Sequence, residues 1–179
     1  MQPKTDSLLK LLKGGDRRSI GRANNVVNRV LADPQRFKEV FEGMRDDDPL
    51  VRMRAADAVE KITAAHPEYL IPFKKALIRQ VAGSTQQEVR WHVAAMFSRL
   101  SLTPQERRRV LAILENYLED KSKIVKTFAM QALADLALQD SRLKPSVIER
   151  LKQLMRDGSP AMQSRGRKLL EKLNAGDPE

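Results

Sequence analysis

Asp46-Asp47-Asp48-Pro49-Leu50-Val51-Arg52-Met53-Arg54-Ala55-Ala56-Asp57-Ala58-Val59 is the stretch on which the fold turns. An acidic turn leads into a proline, and small or apolar residues then stand at Val51, Ala55, Ala58, Val59 and Ile62. Offsets of 0, 4, 7, 8 and 11 from Val51 lie on one face of an α-helix. The phrase recurs as Val89-Arg90, Val93, Met96, Phe97, Leu100 and as Val125-Lys126, Ala129, Ala132, Leu133, Leu136. A weaker copy reads Met162-Gln163, Gly166, Leu169, Leu170, Leu173, and a degraded one opens the chain as Ile20-Gly21, Asn24, Val27, Asn28, Leu31. The anchors at 20, 51, 89, 125 and 162 are 31, 38, 36 and 37 residues apart, a period that marks stacked helical units.

These copies form the second helix, B, of each unit. The first helix, A, opens at a proline: Asp33-Pro34, His66-Pro67, Thr103-Pro104 and Lys144-Pro145. Proline suits the first helical turn because its missing N–H has no partner there. Thr103 and Glu106 have the spacing of a capping box. Helix A cores follow at Phe37, Val40, Phe41, Met44; Leu70, Phe73, Leu77, Val81; Val110, Ile113, Leu114, Tyr117; and Ile148, Leu151, Leu154, Met155, with Leu8, Leu9, Leu11 and Leu12 supplying a short first A helix. No segment alternates with the period of two that a half-buried strand needs. Small residues at the fourth offset (Ala55, Ala129, Gly166) let B approach A closely, and Asn24, Asn25 and Asn28 fit an exposed end helix. The expectation is ten helices in a single all-α domain over 1–179, with repeats at about 5–32, 33–65, 66–102, 103–140 and 141–174.

Composition removes several function classes. The 179 residues hold 33 Lys or Arg against 23 Asp or Glu, a net charge of +10. There is no cysteine, so disulfides, thiolate metal sites and a cysteine nucleophile are absent. His66 and His92 are the only histidines, too few for a zinc or iron site, and no cofactor or metal is expected. No apolar run approaches bilayer-spanning length, which points to a cytoplasmic protein without a membrane partner.

The quoted stretch resembles the B-helix motif of HEAT repeats, with its Asp-led turn, Val-Arg pair and spaced alanines. The resemblance runs from about Ser7 to Asn174 and implies a right-handed α-α superhelix of about five helical hairpins with a concave B-helix surface. It also implies a ladder in which a turn Asp pairs with a base six residues on, between neighbouring repeats. Asp46 with Arg52 and Asp120 with Lys126 keep that spacing, whereas Arg90 follows Ser84 and Asp157 precedes Gln163. Pro72 resembles the family's kinking proline of helix A. Such motifs speak for fold and hardly for function.

Charge placement narrows the function. Residues 1–45 carry ten bases and five acids, residues 46–120 balance, and residues 121–157 carry eight bases and four acids. Basic ends permit a phosphate-rich partner, but ladder bases account for part of the excess. Offsets of 2, 3 and 6 point away from helix A, toward the inner side of the array. They place Arg22, Met53, Arg54, Trp91, His92, Phe128, Arg165 and Lys168 there as candidate partner-binding residues. Tryptophan is a favoured interface anchor and a platform for stacking bases.

Catalytic constellations are not convincing. Neither histidine is followed by the Glu of an iron-binding His-Glu pair. Trp91 with Asp57 is a thin match to the HEAT-like alkylpurine DNA glycosylases, because a second tryptophan is missing. Gly14-Gly15-Asp16 is too short for a nucleotide-cradling loop. The reading is a non-enzymatic scaffold, monomeric or weakly dimeric, that binds a protein through its B-helix face, with nucleic acid as the alternative partner.

Overall fold

Asp48 accepts a hydrogen bond from the Leu50 N–H at 2.8 Å, and Pro49 fills the first turn. The phrase quoted above therefore opens a long helix where its cap and proline place it. The computed structural model describes residues 7–16 and 18–175. Its helices fall as five consecutive pairs, with no strand among the described residues. Two compact units divide between Leu100 and Ser101.

The first unit holds α1 (Leu9–Leu12), α2 (Ala23–Ala32), α3 (Phe37–Gly43), α4 (Pro49–Ala65), α5 (Lys74–Arg79) and α6 (Gln87–Phe97). Helix α4 is its spine, packed against α2, α3 and α6. Val51, Ala55, Ala58, Val59 and Ile62 are fully buried, the stripe the sequence pattern requires. Phe37, Phe41, Phe73 and Tyr69 gather at ring-centroid distances of 4.7 to 6.3 Å, so most aromatic area here is core. A short 3-10 helix over Pro67–Phe73 precedes α5 and contains Pro72. The third A helix is thus broken into 3-10 and α segments at its internal proline.

The degraded first copy has a different register from the one its spacing predicts. Helix α2 starts at Ala23, and its buried residues are Ala23, Val26 and Val30. Ile20 lies before the helix at 44% exposure, and Leu31 is 41% exposed. The cause is Gly21, whose backbone φ of 54° belongs to the left-handed region and cannot continue a helix from Ile20. Asn24, Asn25 and Asn28 lie on the exposed side.

The second unit holds α7 (Pro104–Leu118), α8 (Lys123–Gln139), α9 (Lys144–Arg156) and α10 (Pro160–Asn174). Thr103 and Glu106 form the expected capping box at the start of α7. Helix α8 packs against α7, α9 and α10. Gly166 of α10 is buried where a Cβ would stand 2.4 Å from the Met155 sulfur, so the small residue sets the close approach of α10 to α9.

The predicted charge ladder takes another form. Arg52 Nη1 donates to the backbone carbonyls of Asp46 at 2.7 Å and Asp47 at 3.0 Å, while its Nε donates to Gln86 Oε1 at 2.8 Å. Gln86 returns a bond to the Pro49 carbonyl at 2.8 Å, which ties one B-helix start to the next. Arg90 Nε likewise donates to the Ser84 carbonyl at 2.7 Å. The carboxylate of Asp46 instead accepts the Asp48 N–H at 2.9 Å. Ser84 Oγ accepts the Gln86 N–H at 3.2 Å, and Asp120 accepts the Ser122 N–H at 2.7 Å. The turn residue therefore organises its own turn, and Arg52 and Arg90, each six residues on, take backbone carbonyls. That corrects the Asp46–Arg52 ion pair expected from the resemblance and explains how Ser serves at position 84. Lys126 is half-buried beside α9 residues Arg150 and Leu154.

Candidate functional site

The row of residues on α4 and α6 that faces away from helix A meets the loop before α2 to form a cleft of about 320 Å³. Met53 on α4, Trp91 and His92 on α6 and Ile20 from the loop supply its apolar and aromatic lining. Asp57 and Glu88 add carboxylates, and Arg18 and Arg54 add bases. Helical spacing explains the set: Met53 and Asp57 are four residues apart, Glu88 and Trp91 three, so each pair shares one face. The Trp91 and His92 ring centroids are 5.6 Å apart at an interplanar angle of 56°. Asp57 holds Lys61 at 2.8 Å, and Lys61 also donates to Asn24 Oδ1 at 3.0 Å. Burial pushes the His92 imidazole below its ordinary value, against the opposing pull of the Asp57 and Glu60 carboxylates. Burial thus favours the neutral form of His92 in the cleft wall.

Arg54 also lines this cleft, but as a buried side chain. The sequence phase puts it on the binding face, yet it is only 2% exposed. Its Nη1 donates to the carbonyls of Leu12 at 2.8 Å and Gly14 at 2.6 Å. Its Nη2 donates to Asp16 O at 3.0 Å, and its Nε to Ser19 O at 3.1 Å. The loop after α1 closes around the guanidinium, so Arg54 organises that loop. Arg22 leaves the predicted group. It lines an adjoining cleft of about 470 Å³ with Lys13, Gly14 and Gly15, which shares Ser19 and Arg54 with the first.

Phe128, Arg165 and Lys168 belong to the second unit. Phe128 is 37% exposed on α8. Arg165 of α10 donates to Gln131 Oε1 at 2.7 Å, three residues along α8 from Phe128. Lys168 is exposed one turn further on, and Lys172 lies 3.7 Å from Asp135. The aromatic ring and the α10 bases therefore share one surface of the α8–α10 pair.

Of the eight residues chosen from sequence, Met53, Arg54, Trp91 and His92 line one cleft. Sequence reasoning missed Ile20 and Glu88 there. Ile20 was assigned to the core by the false register. Glu88 carried a usable signal, because it lies one turn before Trp91 on the same face. Other arginines are bound to structure as well: Arg99 to Glu60 and Thr63, Arg107 to Asp140, Arg150 to Glu115 and Glu119. Much of the positive charge thus serves internal joints.

Among the described residues, no group of three or more His, Cys, Asp or Glu side chains is placed to hold a metal ion, and no helix is long and apolar enough to cross a membrane. No curated protein matches the chain. Among solved structures, it is similar to the crystal structure of an engineered protein at a TM-score of 0.65 and 18% identity, covering 94% of this chain and 78% of that one. The family model of the HEAT repeat domain matches residues 12–173. With five helical pairs, the recurring B-helix phrase and that match, the chain belongs to the HEAT-repeat family and is an all-α helical-repeat solenoid.

Proposed function

We propose that the protein is a non-catalytic scaffold that holds a protein partner on the B-helix face of its first unit, with Trp91 as the anchor. The observation that carries this reading is the cleft itself. The chain's one tryptophan, with Met53 and Ile20, lines an open apolar floor flanked by Asp57 and Glu88. An aromatic anchor beside aliphatic side chains, rimmed by polar groups, is the usual make-up of an interface centre. HEAT-repeat proteins commonly mediate protein interactions, which agrees with this. Selection of peptides from a random displayed library against the full chain tests it. Peptides captured by the wild type and lost with Trp91→Ala support the reading; peptides captured equally by both overturn it.

A second reading, nucleic-acid binding, is favoured by the α8–α10 surface, where Phe128 accompanies Arg165 and Lys168. An aromatic ring with bases suits a stacked, charged strand. Its signature is an affinity for single-stranded oligonucleotide that falls steeply with salt and drops with Arg165→Ala/Lys168→Ala. The absence of any binding at low salt removes it.

A further inference from the structure

We infer that residues 13–16 after α1, with Arg22 and Arg54, form a binding site for a phosphate monoester that adjoins the Trp91 cleft and shares Ser19 and Arg54 with it. Three observations converge on the cleft of about 470 Å³ beside that segment. The first is charge. Lys13, Arg22 and Arg54 line it, and among the described lining residues the one acid is Asp16, whose carboxylate accepts the Arg18 N–H at 2.9 Å. Arg54 is almost fully buried and has no carboxylate partner among the described residues. Carbonyl dipoles satisfy its hydrogen bonds but leave its full unit charge in place. A buried charge without a counter-ion attracts an anion far more strongly than an exposed one.

The second observation is donors. Arg54 forms four hydrogen bonds to carbonyls, which leaves one of its five N–H groups over, on Nη2. Nη2 stands 3.6 Å from where a Cβ on Gly15 would be, so the absence of a side chain there keeps that edge of the guanidinium open. The third observation is backbone. Gly14 and Gly15 have φ values of 70° and 83°, and the Gly14 carbonyl is turned onto Arg54. Among the described residues, the N–H groups of Gly14, Gly15 and Asp16 donate to no protein acceptor. Successive free amides beside bases make an anion-binding concavity.

Several donors and several bases around one opening favour a tetrahedral oxyanion of charge two over a monovalent carboxylate or chloride. The cleft is also roomier than phosphate alone requires, so the phosphate arrives on a small organic body, either a phosphorylated side chain or a free sugar phosphate. The sequence dismisses Gly14-Gly15-Asp16 as too short to cradle a nucleotide. The structure supplies what the motif lacked, since the cationic half of the site comes from Arg54, far along the chain.

The test is amide NMR titration of the full chain at constant ionic strength, using inorganic phosphate as the probe and acetate as the control. Saturable shifts of the Gly14 and Gly15 amides with phosphate, and none with acetate, are expected. Lys13→Ala/Arg22→Ala, which leaves the Arg54 joint intact, weakens phosphate binding by about tenfold or more. Arg108→Ala/Arg109→Ala, an equal loss of charge on the exposed side of α7, leaves it unchanged. Shifts that do not saturate, or that weaken equally in both double variants, overturn the site as nonspecific charge attraction. Phosphoserine and ribose 5-phosphate then distinguish the sources, the tighter identifying its class. Binding of both more weakly than inorganic phosphate overturns the monoester assignment.

Discussion

Arg54 Nη1 donates to the Gly14 carbonyl oxygen at 2.6 Å, joining the centre of α4 to a loop forty residues earlier in the chain. With the bonds to Leu12, Asp16 and Ser19, this one side chain closes the N-terminal end of the first unit. Helix α1 has only four residues and a leucine at its N-cap position. Its start is held by Glu39, which accepts from Ser7 Oγ at 2.6 Å and the Leu8 N–H at 2.7 Å. Its end is held by Arg54. So short a helix gains too little from its own hydrogen bonds to persist alone, and tertiary joints keep it in place.

Arg54→Met keeps the apolar stem but removes the charged donors from four carbonyls. Bonds from charged donors contribute about 1.5–3 kcal/mol each and are not additive, so a total loss of about 3–5 kcal/mol is expected. Urea unfolding measures the loss, and hydrogen exchange shows it concentrated in the amides of α1 and α2. A destabilisation below about 1 kcal/mol contradicts the assignment of Arg54 as a joint.

Gly21→Ala strikes the same joint from the other side. The new Cβ would stand 2.7 Å from Arg54 Cζ, and Gly21 already has a φ of 54°. The left-handed conformation alone costs an L-residue about 1–2 kcal/mol. The guanidinium is pinned by its hydrogen bonds and has little room to yield. A total of at least about 2 kcal/mol is expected in urea unfolding. Gly14→Ala, with open space around its Cβ position, bears the backbone term alone.

The turn chemistry separates Asp46 from Arg52. Because Asp46 serves its own turn through the Asp48 N–H, as Ser84 serves its turn through Gln86, Asp46→Ser is nearly neutral. Asp46→Ala loses about 1 kcal/mol, the usual effect of removing such a local acceptor. If an Asp46–Arg52 ion pair mattered instead, Ser and Ala would be equally damaging. Urea midpoints of the two variants decide between these outcomes.

The depressed His92 pKa makes the first unit sensitive to mild acid. The unfolded imidazole titrates near 6.5, and burial holds the folded value lower. Its contribution to stability is therefore complete above the unfolded value and is lost as pH falls through the folded one. His92→Gln removes that part of the dependence below about pH 6.5, which thermal melts at a series of pH values reveal. Asp140 acts in a more acidic window. A hydrogen bond from Arg142 is the main cause that holds its carboxyl at about 2, with Arg107 adding to it. Its stabilisation of the second unit is complete above the ordinary carboxyl value near 3.8 and fades as pH falls toward 2. Asp140→Asn flattens the acid limb of that unit's melting profile.

The fold was legible because helical phase and caps are local properties of the chain. Val51, Ala55, Ala58, Val59 and Ile62 are buried as their spacing requires, and Thr103 with Glu106 caps α7 as written. Legibility failed where a local pattern and the backbone disagreed. Ile20 matches the apolar anchor in type, yet Gly21 breaks the helix behind it and shifts the register by three residues. The site was legible only in part for a related reason. Phase assigns a direction to a side chain but not a destination. It brought Met53, Trp91 and His92 to one cleft with Arg54. It also sent Arg54 toward solvent, because nothing in the spacing reveals that a loop from another helical pair covers that direction. The net charge of +10 misled in the same way, since it counts the arginines of internal joints alongside those a partner can meet.

The central claim, that a protein segment docks at Trp91, is tested most directly by the emission of that residue. The chain has no other tryptophan, so every change in indole fluorescence reports on this cleft. The tightest library-selected peptide and a single-stranded oligonucleotide are each titrated into the full chain at low salt. A saturable shift of Trp91 emission is expected with the peptide and none with the oligonucleotide. Calorimetry on Trp91→Ala is expected to find peptide affinity reduced by about thirtyfold or more, the loss of an interface hot spot. Peptide binding that leaves the emission unchanged, or an oligonucleotide that alone shifts it, contradicts the account.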